Sequence, residues 1–306
     1  MTGAGGQIGS ELVPLLRSLH GDANVLATDV RALSGALAEG PTGELDCTRA
    51  DQVAEHFSAF RPDVVYHLAA LLSAVGERMP QKAWDINLGG LFHVLEACRE
   101  HGSALFTPSS IAAFGPTTPR DPAPQDTIQR PTSMYGVTKV AGELLCDYYH
   151  ARYGVDTRGL RYPGLISWAH PPGGGTTDFA VEIYFAAVRE GRYRCFVGPE
   201  TQLDMMYIND AVRAAVEVME ADGSKLEHRN AFNISAMQVT PVALAESITR
   251  HLPDFQMDYE VDPVRQAIAD SWPRRIDDTA ARVEWGWRPE FDIEAMTVEM
   301  LKHIEE

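Results

Sequence analysis

Lysine is scarce in this chain: Lys82, Lys139, Lys225 and Lys302 are the only four, against twenty-two arginines. Basic charge falls short overall, with 26 Lys and Arg facing 43 Asp and Glu for a formal net charge of −17. A field of that sign repels phosphate backbones and anionic lipid, which argues against nucleic acid and membrane surfaces as partners. Cysteine is sparse too. Cys47, Cys98, Cys146 and Cys195 are scattered with no C-x-x-C pair, which speaks against a disulfide framework and a structural zinc site and suits buried thiols in a reducing compartment. No metal is expected. Long apolar runs are missing as well: Val64 to Val75 is the longest, and His67 and Ser73 interrupt it, whereas a membrane span needs roughly 18 apolar residues. The opening Met1-Thr2-Gly3-Ala4 has neither the basic nor the apolar region of a secretory signal, so the cytoplasm is the expected location. Asn233-Ile234-Ser235 then reads as a chance match to a glycosylation sequon.

What is present is an ordinary globular composition, 45% hydrophobic and 23% charged over 306 residues. At roughly 150 residues per domain, one large domain with a smaller lobe fits. Up to about residue 165, short apolar runs alternate with helical stretches, the pattern of repeated βαβ units and a parallel sheet. The expected strands are Val25 to Thr28, Val64 to Leu68, Leu105 to Thr107 and Arg158 to Arg161. Between them the spacing predicts helices over Glu11 to His20, Gln52 to Phe60, Asn87 to His101 and Tyr135 to Tyr153, the last closed by Gly154. After Arg161 the alternation is lost in a stretch holding Pro163, Pro171, Pro172 and Gly173-Gly174-Gly175.

Gly3-Ala4-Gly5-Gly6-Gln7-Ile8-Gly9 contains G-x-x-G-x-x-G and runs straight into a helical pattern from Glu11. Glycine is needed where the chain turns tightly, where backbone approaches a pyrophosphate, and where helix meets strand. The first-turn N–H groups, those of Gln7 and Ile8 among them, then bind the anion with the helix dipole. Asp29 follows Gly9 by twenty residues at the end of an apolar run. A carboxylate there accepts from both ribose hydroxyls of NAD and repels the 2′-phosphate of NADP, with Arg31 close by as the one opposing feature. One oddity remains. A dinucleotide fold begins with a buried strand before its glycine turn, yet here the turn starts at the third residue, so either that strand is absent from the sequence or another segment fills its place.

Tyr135 and Lys139 stand four apart and share one helix face. An ammonium beside a phenol lowers its pKa from ~10 toward neutrality, which would make the tyrosine a general base. Phe106-Thr107-Pro108-Ser109-Ser110 ends a buried-type strand in hydroxyls, where a parallel sheet presents its ligand-facing edge.

Together these pieces resemble the extended short-chain dehydrogenase/reductase family. The likeness rests on the glycine turn, Asp29, Leu68-Ala69-Ala70, Asn87, Ser110, Tyr135, Lys139 and Arg161-Tyr162-Pro163, in the family's order. It implies a Rossmann-type doubly wound parallel sheet over residues 1–165 and a smaller C-terminal substrate lobe over 166–306, some segments returning to the first domain. It further implies Ser110 as the hydroxyl that positions substrate, Tyr135 as acid/base, and Lys139 as the residue binding nicotinamide ribose. Gly3, Gly6, Gln7, Ile8, Gly9, Asp29, Arg31, Asp46, Leu68, Ala69, Ala70, Asn87 and Tyr162 complete the expected NAD contacts. The family's nucleotide-sugar enzymes hold diphosphate with an Asn and an Arg at places where this chain has Pro163-Gly164 and Leu203. Four segments, 108–115, 161–167, 173–178 and 270–273, instead resemble the family's short-chain-type L-threonine 3-dehydrogenases. That branch implies threonine catabolism, with L-threonine as the small-molecule substrate.

For such a substrate, Ser73 and Thr176 are candidate donors to the carboxylate. Asp178 is either the ammonium acceptor or a hydrogen-bonded loop residue, and Trp272 either closes over the methyl group or packs the core. The competing readings are a nucleotide-sugar epimerase with tightly held NAD and a non-enzymatic NAD-sensing regulator. The resemblance also implies a homodimer built as a four-helix bundle, and Val140, Leu144, Leu145 and Tyr148 give the Tyr135 helix apolar residues to spare.

Overall fold

A computed structural model of the chain describes residues 1–169 and 176–305. Among them lie the strands β1 (Ala27–Asp29), β2 (Thr42–Glu44), β3 (Val64–Tyr66), β4 (Ala104–Ser110), β5 (Thr157–Tyr162), β6 (Gly164–Ile166), β7 (Arg192–Cys195), β8 (Leu203–Tyr207), β9 (Phe232–Asn233), β10 (Met237–Val239) and β11 (Gln256–Tyr259). β3, β4, β5 and β9 pair side by side in that order, and β1 pairs with β2, every contact parallel. Thr2 joins the two groups. It bridges Thr28 on one side and His67 on the other, its N–H donating to Tyr66 O at 3.0 Å while Thr28 N–H donates to Met1 O at 2.9 Å. Met1 and Thr2 thus lie between β1 and β3, at the centre of the sheet.

Helices Gln7–His20, Ala50–Phe60, Gly90–His101 and Met134–Tyr153 connect the strands, each close to its expected position. Gly102 and Gly154 end two of them in left-handed conformation, at φ 73° and 71°, which glycine adopts without strain. β4 runs three residues beyond its predicted end because its pairing with β5 continues to Ser110 opposite Tyr162.

The second half mixes helices with short strands. β6 follows Pro163 at once and pairs with β8, whose other edge takes antiparallel β10, and β7 pairs with β11. The chain then returns, β9 adding to the far edge of β5. One apolar interior runs from Phe106 and Leu160 on the main sheet to Tyr184, Met205, Trp287 and Met296 in the lobe. Asn233 is fully buried, which leaves the sequon without access. All four cysteines are free and buried, no described helix is long and apolar enough to cross a membrane, and no metal-binding cluster occurs among the described residues.

Candidate active site

The carboxyl ends of the parallel strands lie on one edge of the sheet, where an open α/β fold binds its ligands. There the glycine turn packs against the chain leaving β3. Gly3 has φ 71°, and a Cβ on it would lie 2.6 Å from Ala69 N. A Cβ on Gly9 would lie 2.5 Å from Ala4 O. Neither position admits another residue, and both close approaches shape a backbone cradle. Gly6 caps the Gln7–His20 helix without any side-chain bond, which leaves its first-turn N–H groups to a ligand.

Asp29, 8% exposed, ends β1. Its carboxylate accepts from Gly5 N at 3.0 Å and Arg31 N at 3.3 Å. Arg31 stays 82% exposed with Nε 3.9 Å from the carboxylate, too loose a pair to neutralise it. An anchored anion beside an anion-binding helix start fits the ribose and pyrophosphate of a dinucleotide. Asp46 spends Oδ1 on Thr48, accepting from its N and Oγ1 at 2.9 and 2.7 Å. Asn87 exchanges bonds with Leu71, at 2.7 Å to its N–H and 3.0 Å to its carbonyl, and donates to Thr138 Oγ1 at 3.1 Å. Its amide thus ties the Leu68–Ala69–Ala70 loop to the Tyr135 helix, and any influence on a cofactor passes through that tie.

Ser110 ends β4 and caps the Ile111–Ala113 turn, accepting from Ala112 N at 3.2 Å. The Met134–Tyr153 helix lies against this turn so closely that a Cβ on Gly136 would sit 2.2 Å from Ala112 O. That contact brings Tyr135 close to Ser110. Lys139 Nζ lies 5.3 Å from the centre of the Tyr135 ring and donates to Pro108 O at 2.7 Å. The expected lowering of the tyrosine pKa is not found. Burial pushes the phenol up to about 12, the Ser110 bond only partly opposing it, and burial brings the Lys139 ammonium down to about 8. Desolvation disfavours both charges and is the largest influence on each.

On the substrate side, Ser73 opens the Ser73–Arg78 helix, which packs against the Tyr135 helix. The Thr176–Asp178 turn sits against the Pro263–Ser271 helix, and Thr177 lies over Gly164 so tightly that a Cβ there would meet its methyl at 2.9 Å. Gly173–Gly175 and the Thr176 side chain lie outside the described residues. Trp272 packs on Ile111, Phe114, Ala123 and Ile276, beside the turn that follows Ser110. Tyr162 points the other way: its ring is buried and its hydroxyl donates to Ala211 O at 2.7 Å, so its side chain belongs to the core and only its backbone borders the cleft.

The pattern that defines the NAD dependent epimerase/dehydratase family matches residues 1–235. The chain belongs to this family. A relative in Staphylococcus saprophyticus, described as an uncharacterized epimerase/dehydratase, is 56% identical, covering 100% of this chain and 96% of its own. Among solved structures, an L-threonine dehydrogenase from Clostridium difficile superposes with a TM-score of 0.97 at 50% identity, covering 99% and 96% of the two chains. A monomeric L-threonine 3-dehydrogenase from a metagenome superposes at 0.93 with 44% identity, covering 99% and 97%. The enzyme is NAD-dependent, and the glycine cradle and Asp29 are the parts of this chain that fit that cofactor.

Glu77, Ser133 and Glu143 also border the site, although no sequence motif marks them as a set. Glu77 Oε1 accepts from Met134 N at 2.6 Å, and with Ser133, whose Oγ accepts from Gly136 N at 3.1 Å, it caps the Met134–Tyr153 helix. Glu143 and Arg161 form a buried ion pair at 2.8 Å directly beyond Lys139. For the helix cap, Ser133 before Met134 was the available signal. Glu77 had none.

Proposed function

We propose that this enzyme oxidises L-threonine at C3 to 2-amino-3-ketobutyrate with NAD as the oxidant. The observation that carries the reading is the placement of Tyr135 beside Ser110, with Lys139 Nζ 5.3 Å from the tyrosine ring centre, at the carboxyl edge of the sheet. Tyr135 takes the proton of the C3 hydroxyl while Ser110 holds the same oxygen, and Lys139 stabilises the phenolate that the step requires. Bound NAD supplies the hydride acceptor and a positive charge in the same cleft. Asp29 sets the preference for NAD, Asn87 holds the cofactor loop, and Asp46 borders the adenine side.

An amino acid suits the site better than a nucleotide sugar because Gly164 and the buried Leu203 occupy the places of the diphosphate ligands. Ser73 and Thr176 bind its carboxylate, Asp178 its ammonium, and Trp272 covers its methyl. An NAD-sensing regulator would not need Ser110, Tyr135 and Lys139 together. The enzyme acts in the cytoplasm as a homodimer. Its exposed Val137, Leu144 and Tyr148, with Phe92 on the adjoining helix, form the apolar face that pairs.

The deciding experiment follows NADH formation with L-threonine, L-serine, L-allo-threonine and UDP-sugars. Turnover is expected with L-threonine and added NAD. Conversion of a UDP-sugar without added cofactor, and none of threonine, would overturn the reading.

A further inference from the structure

Glu143 stands one turn beyond Lys139 on the catalytic helix and is 5% exposed. A carboxylate so far from water needs a full set of donors. It has one. Ser109 Oγ, on the strand residue before Ser110, donates to Oε1, and Gln129 Nε2 donates to Oε2 at 2.8 Å. Arg161, buried on β5, grips both oxygens at 2.8 to 3.2 Å. The same guanidinium donates to Gln125 O at 2.8 Å and Asn233 Oδ1 at 3.1 Å and lies 5.5 Å from the centre of the Phe114 ring. A cavity of about 20 Å³, room for one water, is lined by Lys139 and Glu143 together with Ser109, Thr138 and Asn230. The buried Oδ1 of Asn230 has no hydrogen-bond partner among the described residues.

Few charges reach Lys139. Its own helix presents Tyr135, Glu143 and Cys146, the phenol and thiol both kept neutral by burial. The end of β3 brings His67, which burial and the nearby Lys139 hold down at about 3 and therefore uncharged. β4 offers the Pro108 carbonyl, and Arg161 of β5 is spent on Glu143. Burial draws the ammonium toward neutrality, and Glu143 is the largest opposing influence.

We propose that Glu143 is a positioning residue for the reaction centre: clamped by Arg161, Ser109 and Gln129, its carboxylate keeps Lys139 an ammonium and fixes the end of β4 against the catalytic helix. The proposal rests on the reading of Lys139 as the partner of Tyr135, and a readout that needs no turnover tests it separately. With only four lysines in the chain, carbon-13 labelling at Cε gives a small set of signals, and Lys139→Arg identifies the relevant one. In the full cofactor-free protein, Glu143→Gln should lower the Lys139 titration midpoint by about one pH unit, a tenfold change in its proton affinity. Glu143→Asp retains the charge and should leave the midpoint near wild type. Because Glu143→Gln strands a buried guanidinium, the double variant Glu143→Gln/Arg161→Met removes both charges and should still show a lowered midpoint in a folded protein. An unchanged midpoint in either folded variant overturns the proposal. In the activity assay the alkaline limb of kcat should move to lower pH in parallel. A moved midpoint with an unmoved kcat profile would leave the proposal standing and refute the role of Lys139 in the reaction.

Discussion

Gly136→Ala tests whether the contact between the catalytic helix and the turn after Ser110 sets the reaction geometry. The added methyl would lie 2.2 Å from Ala112 O and 2.5 Å from Pro131 Cβ, where real Cβ atoms essentially never come within 3.0 Å. The helix must back away from the turn by about 0.8 Å, in the direction that separates Tyr135 from Ser110. Helix propensity favours alanine by about 1 kcal/mol, and overpacking costs about 1–3 kcal/mol. Net destabilisation should thus be at most about 2 kcal/mol, a fall in Tm of a few degrees for a chain of this size. The loss of activity should be larger, because a misplacement of about 1 Å costs on the order of a hundredfold in rate. Gly89→Ala is the matched control. It is also helical, with φ −61°, and its Cβ meets nothing within 4 Å, so stability should hold or rise by about 0.5–1 kcal/mol with kcat unchanged. Thermal unfolding and steady-state kinetics on both variants decide the matter. A folded Gly136→Ala protein with wild-type kcat would show that this contact does not position the tyrosine.

Tyr135→Phe keeps the ring and its packing, so it should bind NAD nearly normally and lose on the order of a hundredfold or more in kcat; wild-type turnover in the folded variant would sink the acid/base assignment. Asp29→Ser should weaken NAD and admit NADP, since the repulsion of the 2′-phosphate is gone and Arg31 remains, and an unchanged cofactor preference would make Asp29 a turn residue. Asp204, fully buried on β8, has its carboxyl raised to about 7 by burial. The folded state therefore holds a proton that the unfolded chain has lost above pH ~4, and stability should fall as pH rises from about 4 through 7; the same slope in Asp204→Asn would assign the effect elsewhere. Light scattering at micromolar concentration should give a dimer mass, and a monomer mass would refute the assembly proposed above.

The dinucleotide half was legible because its signals are local. A glycine triplet, an acid twenty residues on and a Tyr/Lys pair one helical turn apart each sit within a short stretch, and periodicity placed the helices that carry them. What escaped is long-range. Glu77 reaches Met134 across 57 residues of chain, and Arg161 reaches Asn233 across 72, so no spacing rule joins them. Tyr162 was misdirected for a different reason: every residue of β5 is buried, so a strand covered on both faces has no polar alternation to tell cleft from core. The tyrosine pKa went the wrong way because proximity can be read from a spacing of four, whereas enclosure depends on everything else that packs around the site.

The return of the chain to β5 also has a consequence for how the protein can be divided. Cut after the fifth strand, the first 162 residues would expose the edge of β5 that β9 covers at Leu160 and Arg161, and would leave Arg161 without Asn233 and the Leu160 face of the sheet without the lobe that buries it. Such a fragment presents an open strand edge beside an unfilled apolar surface and should aggregate when made alone. Supplied with the remaining residues, it has a partner whose short strand and buried asparagine complete it, so the two pieces should recover a folded enzyme by association.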